Sequence, residues 1–342
     1  MSVQRPTAEA AKAEWRRWAS TVDTASLSAG VAAALSAWPP IHGVVASYLA
    51  MPQEIDLSNV HDLSRCRILV PRTEEGNLLT LHDHNGADLV RHRFGFLEPD
   101  RSSVPVPFDD VDVVLVPGMV FDGRGNRIGH GAGMYDRLLA ALPVGVVRVG
   151  VTVDALVVDV LPREAHDERV DWLATESGVH RTGSELPASS ELVVERAAQL
   201  GVAAAMVRYP EGTKTSRDAA NAVGCDLGAI AKSLVFLVDD HPVLVICSGD
   251  HRVDVTKLAG VFGGEVARPA PLDRVREVTG FVAGGTPAMG HATHLEVIAD
   301  ATLARYRWVW SAGGTPDTVY PVALDRLVAA SGARWADISA RG

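Results

Sequence analysis

Cysteine is scarce in this chain: three occur in 342 residues, Cys66, Cys225 and Cys247, far apart and with no C-x-x-C pair. That excludes a disulfide framework and offers no cysteine zinc site, so the three read as buried thiols. Long apolar runs are missing as well. No stretch reaches the roughly 20 residues of a membrane span, and residues 1–20 are rich in Ala, Glu and Arg rather than basic then apolar, as a signal peptide would be. The expectation is a cytoplasmic protein with no membrane partner. Surplus positive charge is absent too: residues 1–183 carry 17 basic and 24 acidic side chains and residues 184–342 carry 15 and 18, which together give the net −10. Neither half is a cationic platform, which excludes strong general binding to a nucleic-acid backbone while leaving brief contact with a nucleic-acid end open.

What is present is enough apolar material for more than one core. Hydrophobic residues make up 47% and charged residues 22%, and the length exceeds that of a usual single domain. Turn and linker residues gather at 178–190, so the chain is divided into domains 1–183 and 184–342. Along the first, an amphipathic helix at 9–22 is followed by strands at 44–49, 66–71, 111–116 and 146–153, with a helix at 135–142. This alternation predicts a three-layer α/β/α arrangement around a mostly parallel sheet, with ligands at the carboxyl ends of the strands.

One such end runs into a loop where Gly129, Gly131 and Gly133 alternate with side-chain-bearing residues. Glycine lets backbone N–H groups approach a ligand and accepts positive φ, so a loop of this kind before a helix suits a phosphate. A plain flexible turn would look similar. Arg127 before the loop and Asp136 after it favour a nucleotide and a divalent metal over that bland alternative.

Residues 116–137, Val-Pro-Gly-Met-Val-Phe-Asp-Gly-Arg-Gly-Asn-Arg-Ile-Gly-His-Gly-Ala-Gly-Met-Tyr-Asp-Arg, resemble the signature of 5-formyltetrahydrofolate cyclo-ligases, also called methenyltetrahydrofolate synthetases. Segments 48–56, 94–99 (Phe94-Gly95-Phe96-Leu97-Glu98-Pro99) and 161–179 agree in order, so the resemblance runs from about residue 11 to 179. It implies ATP-dependent closure of 5-formyltetrahydrofolate to the methenyl form. It places Lys12, Arg16, Arg127, Gly129, Gly131, Gly133 and Tyr135 on ATP, Asp136 and Asp167 on Mg2+, and Glu54 on the pterin of a reduced folate. His130 and Met134 fall among the substrate contacts, and there the chain departs from the family: His130 replaces a usual Arg or Lys, Ala132 a Gly or Lys, and Met134 an aromatic. A rival reading keeps the first domain as a degenerate module that binds nucleotide or folate without turnover.

The second domain shows helices at 193–200, 215–223 and 324–331, a strand at 203–207, and a lysine, Lys232, entering the apolar run 230–237. Lysine is rarely buried without a task. A glycine loop follows at 284–290, Gly284-Gly285-Thr286-Pro287-Ala288-Met289-Gly290, flanked by His291 and His294. These pieces resemble the YbaK-type aminoacyl-tRNA deacylases, relatives of the editing domain of prolyl-tRNA synthetase, over about residues 193–338. The resemblance implies a mixed α/β barrel-like domain that hydrolyses mischarged aminoacyl-tRNA, with the tRNA 3′ end as partner and an aminoacyl-tRNA synthetase as a further candidate. It assigns Lys232 and the loop glycines Gly284, Gly285 and Gly290 to the site, with Asp317 one place out of phase with the family's acid. Nothing in the domain reads as a nucleophile beside its base, so water or a substrate hydroxyl is the expected attacking group. Loop N–H groups suit the oxyanion of ester cleavage.

Overall fold

The computed structural model describes residues 4–92, 95–183, 185–209, 211–213 and 215–340. Phe94, part of one segment singled out above, lies outside them. The chain divides into two compact units, Met1–Ser184 and Glu185–Gly342.

The first unit is built on an eight-stranded sheet. Five strands form its parallel centre, in the order Trp172–Thr175, Val147–Val151, Val113–Pro117, Gly43–Ala46 and Cys66–Thr73. Gly178–Arg181 adds antiparallel at one edge, and Leu79–Asp83 followed by Pro105–Val106 at the other. All five residues of Val113–Pro117 are buried, as a central parallel strand requires, since helices and loops cover both of its faces. The helix Lys12–Ala19 turns Trp15 and Ala19 inward and leaves Lys12 and Arg16, four residues apart, on one other face.

A small second sheet carries the glycine loop. Val120–Asp122 pairs antiparallel with Arg127–Ile128 and parallel with Val157–Val158. The tight turn between the first two is tied by the fully buried Asp122: its Oδ1 accepts from the N–H groups of Arg124 and Asn126, and its Oδ2 from Asn126 Nδ2 and from Leu161 N–H. Next to it, the Phe121 ring is wholly buried against Gly118 and Gly150, where added Cβ atoms would stand 2.6 Å and 2.5 Å from ring carbons. The two glycines thus set how deeply Phe121, and with it the start of the loop, sits in the sheet.

The second unit holds a mixed sheet in the order Val207–Arg208, Thr318–Ala323, Trp308–Ala312, Ile230–Val238, His241–Ser248, Glu296–Asp300, Arg334–Ala336, with Ala267–Pro269 pairing the far end of Ile230–Val238. One face packs Ala231, Val235, Ala288, Met289 and Tyr320, and the other packs Phe236, Val245, Cys247 and Leu258. The sheet is open, which corrects the barrel-like expectation. Its end strands are only two and three residues long and carry Arg208 and Arg334, and short charged edges resist further pairing. Residues 203–207 also differ from expectation: only Val207–Arg208 forms a strand, while Ala203 and Ala204 are buried outside it. Thr215 caps the helix Ser216–Val223 through a reciprocal capping box with Asp218.

Replacing Gly150 by Ala forces the Phe121 ring and the Leu173 side chain to move. The expected cost is about 1–3 kcal/mol of stability for the first unit, read as a lower urea midpoint with an unchanged m-value; an unaltered midpoint would show that the packing around Phe121 is slack.

Candidate functional site

At the carboxyl end of the parallel sheet lies a cleft of about 960 Å3. Lys12, Arg16, Glu54, Arg127, Gly129, His130, Gly131, Gly133, Met134, Tyr135, Asp136 and Asp167 all line it, so the structure brings together every residue that the sequence nominated in the first unit. Four elements supply them: the first helix, the loop after Gly43–Ala46, the glycine loop with its following helix Met134–Ala141, and the loop around 162–167.

The loop's shape follows from its glycines and from three arginines that lie on them. Gly131 and Gly133 have φ of 102° and 63°, the left-handed region that side-chain-bearing residues avoid. A Cβ at Gly129 would stand 2.9 Å from the Arg127 guanidinium, one at Gly131 3.1 Å from that of Arg16, and one at Gly133 3.2 Å from that of Arg137. Arg16 Nε donates to the Gly129 carbonyl at 2.8 Å and Arg137 to the Ala132 carbonyl at 2.8 Å. Gly133 occupies the N-cap of Met134–Ala141 and offers no side-chain acceptor to the first turn. The first turn of that helix and its dipole therefore face the cleft, an arrangement suited to an anion.

The charged groups are paired with one another. Arg127, with its side chain only 6% exposed, donates to Asp136 Oδ1 at 2.9 Å, the same oxygen that accepts from Glu168 N–H at 3.2 Å, while Arg127 Nε is buried without a partner. Lys12 Nζ donates to both oxygens of Asp167, at 3.0 and 2.8 Å, and Glu164 N–H adds a third bond at 2.7 Å. Burial raises the Asp167 carboxyl, but the Glu164 N–H and the Lys12 ammonium outweigh it and hold the group below the ordinary carboxylate range. Among the described residues no cluster of three or more His, Cys, Asp or Glu side chains forms a metal cage. Mg2+ commonly takes one or two carboxylates and completes its shell with phosphate and water, so Asp136 and Asp167 fit that ion as partners of a bound polyphosphate.

The cleft also holds a further carboxylate and two tyrosines. Glu54, its side chain 8% exposed, accepts from Met51 N–H at 3.0 Å and faces His130 Nε2 at 3.3 Å. His130 thus lies against a carboxylate. Tyr48 and Tyr135 bury hydroxyls that have no partner, and Tyr48, quoted within a motif but given no role by the sequence, is a cleft residue that sequence reasoning missed. Asp122 was missed too, although an Asp inside a glycine-rich tight turn is a recognisable signal of backbone tethering.

In the second unit the nominated residues do not form one cluster. Lys232 lies opposite Cys247 in the Ile230–Val238 and His241–Ser248 hairpin, and its ammonium donates to the carbonyls of Gly249 and His251. Strand alternation puts Lys232 on the face of Phe236 and Cys247, whereas Ala288 and Met289 of the glycine loop pack on the opposite face. That loop meets a second Gly-Gly-Thr-Pro sequence, residues 313–316: Gly314 N–H donates to the Gly285 carbonyl at 2.9 Å, and a Cβ on Gly285 would stand 2.8 Å from Thr315. Gly290 has φ of 73°, lies against the Arg196 side chain and accepts from its guanidinium. Asp317 is engaged by Arg208 at 2.8 Å and by Thr315 Oγ1 at 2.6 Å, which hold its carboxyl below the ordinary range.

Comparison with known proteins divides the chain at the same place. Residues 12–176 match the model of the 5-formyltetrahydrofolate cyclo-ligase family, and residues 210–330 that of the aminoacyl-tRNA editing domain. The 5-formyltetrahydrofolate cyclo-ligase of Escherichia coli strain K12 is 32% identical over 157 residues, covering 42% of this chain and 84% of that protein. The uncharacterized protein YwhH of Bacillus subtilis is 30% identical over 135 residues, covering 39% of this chain and 85% of its own. The proline–tRNA ligase of Lactobacillus gasseri is 33% identical over 98 residues, covering 28% of this chain but only 17% of the ligase.

The Lys12 and Asp167 pair carries a pH dependence whose sign is set by the lowered Asp167 pKa. A carboxyl held below its unfolded value adds stability above the ordinary carboxylate range, and this is lost as pH falls through the lowered pKa. Lys12→Met is expected to cost about 1 kcal/mol near neutral pH, since both side chains are partly exposed, with the difference from wild type closing below about pH 4. Thermal melts of the two proteins across pH check it; a gap that stays constant into acid would mean the ion pair is not its source.

Proposed function

Since the first unit belongs to the 5-formyltetrahydrofolate cyclo-ligase family and the second is an aminoacyl-tRNA editing domain, we propose that the chain joins ATP-dependent folate ring closure to hydrolysis of mischarged aminoacyl-tRNA. The observation that carries the first half is the cleft that gathers all twelve nominated residues, its cations, loop glycines and carboxylates together.

In 5-formyltetrahydrofolate the formyl oxygen is a poor leaving group. Transfer of the terminal phosphoryl group of ATP to that oxygen converts it to phosphate, and N10 then attacks the formyl carbon to close the ring as phosphate departs. Phosphoryl transfer asks a protein for positioning and charge more than for covalent help. Lys12, Arg16 and Arg127 supply fixed positive charge, and the glycine loop and helix start supply backbone N–H groups. Arg127 Nε, buried and unpaired, is a donor available to a phosphate oxygen. Asp136 and Asp167 would hold Mg2+, which would supply positive charge to the phosphates. Lys12 and Arg127, paired with those carboxylates here, would be the cations nearest to hand for phosphate oxygens. Glu54 accepts hydrogen bonds from the pterin.

For the second unit the reaction is cleavage of the ester between an amino acid and the tRNA 3′ end. N–H groups of the two apposed Gly-Gly-Thr-Pro turns suit the oxyanion of the tetrahedral intermediate. Lys232 donates to the Gly249 and His251 carbonyls on the other face of the sheet from those turns, so its part in the cleavage, contact with the terminal phosphate or ribose, rests on the family resemblance alone. Water or a ribose hydroxyl attacks.

The full-length protein is expected to form the methenyl chromophore from 5-formyltetrahydrofolate only with ATP and Mg2+, and Arg127→Met to slow it by about a hundredfold or more. ATP binding without chromophore would replace this reading with a non-catalytic nucleotide module. Deacylation is checked separately, by release of labelled amino acid from a panel of mischarged tRNAs. Lys232→Ala should lower that rate by about tenfold or more; a variant as fast as wild type removes Lys232 from the site, and no release from any tRNA removes the hydrolase.

A further inference from the structure

Tyr48 stands out among the buried polar groups of the first unit. It follows the carboxyl end of Gly43–Ala46, is 3% exposed, lines the cleft, and has a hydroxyl with no hydrogen-bond partner. Leaving a buried hydroxyl unpaired is costly, so such a group calls for a partner that arrives later. Its neighbourhood says which kind. Burial first, and then the charges of Glu54, Tyr135 and Asp56, push its phenol well above the usual tyrosine range, so the group is a neutral O–H donor at every physiological pH. Glu54 beside it is an acceptor, fixed by Met51 N–H.

We propose that Tyr48 is a substrate-positioning residue that donates its phenolic hydrogen to the 4-oxo oxygen of the pterin whose N3–H and 2-amino groups are taken by Glu54. This rests on the folate reading of the cleft and goes beyond it by naming the group that completes pterin recognition. The pterin edge presents donor, donor and acceptor in a row. A carboxylate next to a phenol presents acceptor, acceptor and donor. Neither alone matches the edge; together they do, and they reject a ring that lacks the oxo group because the Tyr48 hydroxyl then stays unpaired. His130, 43% exposed at its side chain, would have to leave Glu54 for the pterin to take its place.

The test is Tyr48→Phe in the full chain, which deletes one oxygen and keeps the ring. Loss of one neutral hydrogen bond is expected to raise KM for 5-formyltetrahydrofolate about five- to tenfold while KM for ATP stays within about twofold. The melting temperature without ligand should hold or rise, because an unpaired buried hydroxyl is removed. Affinity for a pteridine lacking the 4-oxo group should differ between variant and wild type by no more than about twofold. A lower melting temperature with both KM values shifted together would make Tyr48 a structural residue and overturn the proposal. An active wild type with an indistinguishable variant overturns it as well and leaves the folate reading intact. A wild type that neither binds nor turns over folate overturns both.

Discussion

The first unit depends on three guanidinium groups lying on three glycines. Arg127, Arg16 and Arg137 each fill the space where a Cβ would stand on Gly129, Gly131 and Gly133, and two of them also hold loop carbonyls. The arginines come from a strand, from the first helix and from the helix after the loop, so the loop is the junction at which distant parts of the chain meet. A side chain at any of the three glycines would push away a positive charge, and at Gly131 and Gly133 it would strain the backbone as well. Charge density and loop shape are therefore one property of the site, and neither can be changed alone.

Much of this was legible in the sequence because it is periodic or local. The parallel strands expected at 66–71, 111–116 and 146–153 appear as Cys66–Thr73, Val113–Pro117 and Val147–Val151, since buried parallel strands show as unbroken apolar runs. The helices Ser216–Val223 and Leu324–Ser331 were readable from short-range chemistry. The antiparallel strands Leu79–Asp83 and Gly178–Arg181 were not, because they are short and partly polar. Nor could spacing show that Gly131 meets Arg16, a contact made only when the first helix folds back over the loop.

The second unit shows the limit of motif reading more sharply. Lys232 and the 284–290 glycine loop are recognisable one by one, yet strand parity puts them on opposite faces of the same sheet. What the loop does touch is its own near-copy at 313–316, a repeat of four residues too short to announce itself as a structural pair. In the first unit the departures at 130 and 134 also take on a physical meaning. His130 contacts Glu54, so the substitution alters the surroundings of that buried carboxylate as well as the glycine loop.

The latch between Arg196 and Gly290 has an outcome for how this unit can be cut and inherited. Arg196 belongs to the helix Ala188–Gln199, which lies ahead of the recognisable span of residues 210–330, yet that helix also places Val193 and Ala197 in the main core. Beyond the other end of the span, Ile338 is wholly buried in the second core. A fragment trimmed to the recognisable span would lose core volume at both ends and free its glycine loop. Any piece of this unit that moves between proteins as a folding whole must therefore carry both flanks, and is longer than residues 210–330.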